Sequence, residues 1–168
     1  MARLIVRPET WPLARAFTIS RGSRTAAEII VAEISGDGVT GRGECMPYAR
    51  YGESVDGVAA AITAQAGAIA AGMDRAALQD ALPPGAARNA LDCALWDLQA
   101  KKTGQPVWRL AGLSEPGPLV TAYTLSLDTP EAMGAAARDN ADRPLLKMKL
   151  MGEGDLDRVA AVRKNAPD

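Results

Sequence analysis

The sequence after residue 115 alternates two candidate strands with two candidate helices, joined by short connections. The four segments are residues 119–127, 129–139, 145–150 and 155–165. This order is typical of a parallel βα sheet or barrel. A closed eight-stranded barrel takes about 250 residues, whereas about fifty are present here, enough for the first two units. Two parallel strands alone would leave unpaired edges, so we expect this segment to be the start of a larger, truncated domain.

The first 115 residues show a different pattern, that of an α+β domain. The candidate strands are residues 4–7, 17–20, 28–34 and 39–46, and the last two flank a Ser-Gly-Asp-Gly turn at 35–38. The candidate helices are residues 54–71, 74–81 and 86–102. Ser54 is a candidate N-cap for the first of them. We therefore expect one domain over 1–115 and a second over 116–168, with the strands of the first forming an antiparallel sheet.

Charge and hydropathy exclude several classes of function. Apolar residues make up 48% and charged residues 23%, a balance typical of globular proteins. Nineteen basic against twenty acidic residues give a net charge of -1, so we expect neither a nucleic acid nor a membrane as partner. No apolar run approaches the roughly eighteen residues of a membrane span, and we expect a cytoplasmic protein. A homo-oligomer remains an open alternative to a monomer.

The chain contains no histidine, so acid–base chemistry must fall to other side chains. Cys45 and Cys93 stand far apart without partners at metal-ligand spacing, and we expect both to be buried free thiols. Asp92 and Asp97 lie on the third predicted helix without a third carboxylate at suitable spacing. We interpret them as surface or packing residues.

Lys147 and Lys149 are separated by one residue within a predicted strand, so both side chains should point to the same face. Leu146, Met148 and Leu150 should pack on the other face. Repulsion between two nearby cations, with partial burial, favours loss of a proton and could create a general base. The alternative is a solvent-facing pair on an edge strand, which spacing alone favours.

Several blocks of sequence carry a family resemblance. They are RGSR at 21–24, GRGECMPYARYGES at 41–54, GAARNALDCALWDL at 85–98, AYTLSLDTPE at 122–131 and the Lys-Met-Lys at 147–149. Together they resemble the muconate-lactonizing-enzyme subgroup of the enolase superfamily, over essentially the whole chain, as its N-terminal half. Within the subgroup the blocks are most similar to dipeptide epimerases acting on L-Ala-D/L-Glu.

The resemblance implies an α+β capping domain over 1–115 and the start of a modified (β/α)8 TIM barrel over 116–168. It also implies a magnesium ion that stabilises an enediolate formed by removing the proton α to a carboxylate. In the family the metal carboxylates come from the third to fifth barrel strands and an opposing lysine from the sixth. All should lie beyond residue 168, so no metal ligand is assigned here and the chain alone should be inactive.

The resemblance also implies roles for individual residues. Lys149 matches the family's acid/base lysine, and Lys147 lies beside the substrate carboxylate and helps its neighbour lose a proton. Arg24, expected in a loop over the barrel mouth, would bind the side-chain carboxylate of a dipeptide, with Arg21 as a competitor. Thr124 matches a substrate-contacting threonine. Tyr51, in a second loop with Tyr48, would shape the pocket.

Two classes of function remain open from the sequence. The first is an isomerase of this subgroup: a dipeptide epimerase, or else an N-acylamino acid racemase, an o-succinylbenzoate synthase or a cycloisomerase. The second is a non-catalytic module in which the capping domain binds a partner, which would apply if the protein ends at residue 168.

Overall fold

The computed structural model describes residues 1–166 and divides the chain into two compact units. The first contains Met1–Trp11 and Ala27–Pro116, and the second contains Pro12–Ala26 and Gly117–Asp168. The strands are β1 Arg3–Ile19, β2 Gly22–Gly36, β3 Val39–Cys45, β4 Tyr123–Leu125 and β5 Leu146–Met148. The helices are α1 Val55–Thr63, α2 Ala66–Ala70, α3 Arg75–Ala81, α4 Ala86–Thr103, α5 Val107–Leu110, α6 Pro130–Arg138 and α7 Asp155–Asn165. Among residues 1–166, every helix is too short or too polar to cross a membrane.

The predicted hairpin is confirmed. β2 and β3 pair antiparallel from Ile30 with Cys45 to Gly36 with Val39. Asp37 and Gly38 form the turn with φ of 55° and 80°, the left-handed backbone that a tight two-residue hairpin needs. The sheet has the order β1-β2-β3, which confirms the antiparallel α+β character of the N-terminal region.

The two short strands predicted at 4–7 and 17–20 form one strand, β1, of 17 residues. Pro8 and Pro12 lie within this strand, although proline cannot donate to a ladder. β1 lies at the edge of the sheet, where one side of each backbone needs no partner and proline is tolerated. The prediction of two strands was therefore wrong in their extent.

The single helix predicted at 54–71 is two helices, α1 and α2. Ser54 accepts a hydrogen bond from the Gly57 amide, as expected of its N-cap position. The Thr63 hydroxyl donates to the Ala59 carbonyl at the end of α1, a competing bond that weakens a helix. The third predicted helix, α4, is confirmed and ends at Thr103, with Gly104 as its C-cap at φ of 65°.

The core of the first unit lies between the sheet and its helices. Its most buried members from β2 and α4 are Ile30, Ala32, Ile34, Ala90, Leu91, Ala94 and Leu98, and α1 to α3 add Val58, Ile62, Ile69 and Leu78. Cys45 is buried, as predicted, and burial raises the pKa of its thiol to about 11. Cys93 is exposed, so its predicted burial was wrong. It lies on α4 between the buried positions 91 and 94 and outside their stripe.

Two glycines of β3 allow α4 to lie directly against the strand. A methyl group on Gly41 would collide with the backbone of Ala94 and Leu98. One on Gly43 would collide with the Ala90 carbonyl and lie 2.7 Å from the Ala94 nitrogen. The colliding atoms are helix backbone, which cannot move aside as a flexible side chain can.

The second unit contains a two-stranded parallel sheet with β4 beside β5. Helices α6 and α7 pack on it around Leu125, Leu127, Met133, Ala137 and Val162. The strand–helix–strand–helix order is thus present, but both strands are shorter than the predicted 119–127 and 145–150. Residues 119 and 120 are 85% and 65% exposed, so their apolar character did not mark a buried strand.

We expect Gly43→Ala to destabilise the fold, because overpacking against a fixed backbone costs about 1–3 kcal/mol or more. Chemical denaturation followed by circular dichroism would measure the change. Gly36→Ala is the matched control, since its methyl group would lie 3.5 Å from the nearest atom, the Lys102 ammonium nitrogen. Equal stability of the two variants would contradict the packing argument.

Candidate functional site

The parallel pairing of β4 and β5 brings Thr124 and Lys147 side by side. These two residues are register partners, flanked by the pairs Tyr123 with Leu146 and Leu125 with Met148. Leu146 and Met148 pack against the α6–α7 core. Because side chains alternate along a strand, Thr124 and Lys147 lie on the face away from those helices.

Lys149 lies one residue beyond β5 and is partly buried, whereas Lys147 is exposed. The alternation predicts the same face for both lysines. Leu150, however, is 44% exposed, so the prediction that it packs with Leu146 and Met148 was wrong. β5 ends at Met148, so the strand alternation does not constrain Lys149 or the residues after it.

The tip of the β1–β2 hairpin is anchored beside β4 within the second unit. The Thr18 amide donates to the Ser126 hydroxyl at 2.8 Å, and the Thr18 carbonyl accepts from the Leu127 amide at 3.0 Å. The Thr18 hydroxyl also donates to Ser23 at 2.9 Å. The RGSR block at 21–24 is therefore held close to the carboxyl end of β4. Ser126 was not singled out in the sequence, although it directly follows β4 and is two residues from Thr124.

Arg24 was expected in a loop but lies in β2. The turn between β1 and β2 consists of Ser20 and Arg21, and Gly22 opens the next strand with φ of 145°. A tight turn of this kind leaves no loop for Arg24. Both arginines are exposed and lie in the same unit as Lys147 and Lys149.

Tyr123 holds the start of β4 through two arginines. Its hydroxyl accepts a hydrogen bond from Arg15 at 3.0 Å, and the Arg143 guanidinium lies over its ring at 4.8 Å. The ring itself packs against the second-unit core. These contacts fix the strand that carries Thr124 at its next position.

Tyr51 belongs to the first unit, where it ends a short 3-10 turn, Ala49–Tyr51. It is 76% exposed, and its ring centroid lies 5.7 Å from that of Tyr48. The carboxylate of Glu53 anchors this loop, accepting from the Tyr48 amide at 2.9 Å and from the Ala86 amide at 2.7 Å. The second contact lies at the N-terminus of α4, where a negative charge is favourable. The assignment of Tyr51 to the pocket stays a prediction.

The carboxylates of the described residues do not fit a magnesium site. Within residues 1–166, no group of three or more acidic, histidine or cysteine side chains could hold a metal ion. Asp97 instead accepts from the Arg42 amide at 2.8 Å and from Lys101 at 2.6 Å, which confirms its interpretation as a packing residue. Burial acts to raise the pKa of Asp97, but these partners outweigh it and lower that pKa.

Comparison with known families identifies the N-terminal region. Residues 1–112 match the model of the mandelate racemase/muconate lactonizing enzyme N-terminal domain. The chain belongs to this family. The family confirms both the enolase-superfamily resemblance and the interpretation of the N-terminal region as its capping domain.

Three relatives illustrate the similarity. The L-Ala-D/L-Glu epimerase of Escherichia coli K12 is 43% identical over 170 residues, covering 100% of this chain and 53% of the relative. An enolase family member from Agrobacterium tumefaciens with homology to dipeptide epimerases, solved with sodium and L-Ala-L-Glu, is 49% identical with a TM-score of 0.94. That match covers 99% of this chain and 51% of the solved one. A dipeptide epimerase from Enterococcus faecalis V583, solved with magnesium and L-Leu-L-Tyr, is 29% identical with a TM-score of 0.85, covering 97% and 49%.

The chain spans about half the length of the relatives it matches. Lys147, Lys149, Thr124, Arg24 and Tyr51 all lie within the matched part. Their individual roles stay predictions.

We expect Ser126→Ala to loosen the hairpin tip, because it removes the acceptor of the Thr18 amide. Hydrogen exchange at Thr18 should accelerate while the Leu127 amide, which uses the Thr18 carbonyl, changes less. Ser20→Ala in the exposed turn is the control and should leave Thr18 unchanged. If Ser126→Ala did not change exchange at Thr18, the hydroxyl would not be its anchor.

Proposed function

We propose that the protein acts as a magnesium-dependent epimerase of dipeptides, removing and returning the proton α to a carboxylate. L-Ala-D/L-Glu and related dipeptides are the first candidates for substrate. The observation that carries this proposal is the pairing of Thr124 with Lys147 on the face of the sheet away from α6 and α7. The names of the E. coli and E. faecalis relatives support the substrate class.

The chain's own residues supply one side of the reaction. The amine of Lys149 would take the α-proton from one face of the substrate and, once protonated, return one. Lys147 would lie beside the substrate carboxylate, where its ammonium group attracts negative charge. Thr124 would donate or accept a hydrogen bond beside it. Epimerisation also needs an acid on the opposite face, which we place in the part of the relatives that this chain does not span.

We also propose that the magnesium ligands lie outside the described residues, whose carboxylates do not fit a magnesium site. They would belong to the part of the protein that corresponds to the half of the relatives that this chain does not span. The TIM barrel is likewise proposed for the whole protein, with β4, α6, β5 and α7 as its first two units. A cytoplasmic location is part of the same proposal.

Arg24 would select the substrate. An arginine binds a carboxylate through two parallel hydrogen bonds, so it would recognise the acidic side chain of a Glu-containing dipeptide. Tyr51, in the first unit, keeps its proposed contact with substrate on the family resemblance alone. Support for Arg24 comes from the anchoring of its hairpin tip beside β4.

We expect Lys149→Ala in the full-length protein to reduce exchange of the substrate α-hydrogen with solvent deuterium by about 10²- to 10⁴-fold, the usual contribution of a general base. Proton NMR of L-Ala-L-Glu in heavy water would measure the exchange, and dissociation constants should change little. Lys164→Ala, an exposed lysine at the end of α7, is the control. Retained exchange in Lys149→Ala would refute the assignment of this base. No exchange by the wild type with any dipeptide would refute the epimerase proposal itself.

We expect Arg24→Met to lower kcat/KM for L-Ala-L-Glu by about 10- to 100-fold, since a hydrogen bond to a charged group contributes about 1.5–3 kcal/mol. Activity on L-Ala-L-Leu should be nearly unchanged. Arg21→Met is the matched control from the same turn. If Arg24→Met left the preference unchanged and Arg21→Met altered it, the role would pass to Arg21.

A further inference from the structure

One ion pair ties together the segments that follow β4 and β5. Arg158 and Asp155, near the start of α7, are 3.2 Å apart, and their side chains are only 14% and 18% exposed. Arg158 Nε donates to the Asp128 carbonyl at 2.8 Å, and its Nη1 donates to the Glu153 carbonyl at 2.6 Å. Asp128 follows β4, and Glu153 follows β5. The carboxyl ends of parallel strands lie at the same edge of a sheet, so the guanidinium joins the two connections there.

Asp155 holds the second and third residues after Lys149. Its carboxylate accepts from the Met151 amide at 3.1 Å and from the Gly152 amide at 2.6 Å. Gly152 and Gly154 have φ of 109° and 72°, a backbone region that favours glycine and leaves the segment flexible in the absence of other contacts. The hydrogen bonds to Asp155 therefore define the path of the chain two and three residues beyond Lys149.

The Asp155 carboxylate is negatively charged at neutral pH, which strengthens the hydrogen bonds that it accepts. Burial acts to raise the pKa of Asp155, but the Met151 and Gly152 amides and the Arg158 guanidinium outweigh it and hold the pKa below its usual range. The carboxylate is therefore ionised at neutral pH and accepts these bonds at full strength. The bonds weaken as the pH falls through that lowered value.

We propose that Asp155 and Arg158 are positioning residues that fix Lys149 for proton transfer. This inference rests on the proposed function. The pair touches no reacting atom and acts by restricting the backbone from which Lys149 projects. Because misplacing a catalytic group by about 1 Å can cost about 100-fold in rate, loss of the pair should lower kcat more than it raises KM.

The test compares Arg158→Met, Asp155→Asn and the double variant in the full-length protein. Asp155→Asn is nearly isosteric, so it serves if Arg158→Met does not fold. We expect kcat for α-proton exchange on L-Ala-L-Glu to fall about 10- to 100-fold, with KM within about threefold. Exchange of the Met151 and Gly152 amides should accelerate in the same variants. The double variant should lose little more than the worse single one, because both changes remove one interaction network.

Arg163→Met is the control. Arg163 is an exposed arginine on the same helix, and its substitution should change neither kcat nor the exchange of the Met151 and Gly152 amides. Faster amide exchange with unchanged kcat would overturn the proposal while leaving the epimerase proposal intact. So would an equal loss of kcat in Arg163→Met.

A second measurement distinguishes the two proposals if the wild type epimerises no dipeptide. The acetylation rate of Lys149, followed by mass spectrometry, reports its environment without substrate. A change of that rate in Arg158→Met, with Lys147 unaffected, would support the positioning role. An unchanged rate would overturn it.

Discussion

The arrangement of the second unit depends on the packing of alternate residues of β4 and β5 against α6 and α7. Leu125, Leu146 and Met148 contribute to that apolar core. Their burial commits the intervening residues to the other face, because the side-chain period of a strand is two. A shift of either strand by one residue would expose the apolar set. The position of Lys147 beside Thr124 is thus a consequence of hydrophobic packing.

The tip of the β1–β2 hairpin brings Arg21 and Arg24 into the same unit as Lys147 and Lys149. Residues 12–26 belong to the second unit although they lie about a hundred positions from β4 in the chain, and Thr18 joins the two through backbone and hydroxyl hydrogen bonds. Two carboxylates also anchor segments through backbone amides: Glu53 anchors the Tyr48–Tyr51 loop to α4, and Asp155 anchors the segment after Lys149. In each case a polar side chain satisfies loop amides that would otherwise have no regular partner.

Local signals predicted much of the fold. The Asp37–Gly38 turn, the Ser54 cap, the apolar stripe of α4 and the strand–helix alternation all follow from residue type and period. The length of β1 was not predictable in this way, because Pro8 and Pro12 are tolerated only through the edge position of the strand. Nor were α5 or the 3-10 turn at Ala49–Tyr51 predicted, since segments of three or four residues have no periodicity to detect.

The candidate site was also predicted only in part from the sequence. The Lys-Met-Lys spacing identified Lys147 and Lys149, and family resemblance supplied their chemistry. The partners that position the site could not be found from the sequence, because Thr18 with Ser126, and Arg158 with the Asp128 carbonyl, are contacts between residues distant in the chain. In each of these contacts one partner is a backbone amide or carbonyl. Every residue type except proline has both groups, so the sequence gives no signal for them.

The most direct test of this account is a crystal structure of the full-length protein with a bound dipeptide. We predict that the Lys149 amine lies about 3–3.5 Å from the substrate α-carbon, the separation of a near-attack geometry. Lys147 and Thr124 should lie beside the substrate carboxylate. A dipeptide bound elsewhere, or a Lys149 amine directed into solvent with the substrate in place, would contradict it.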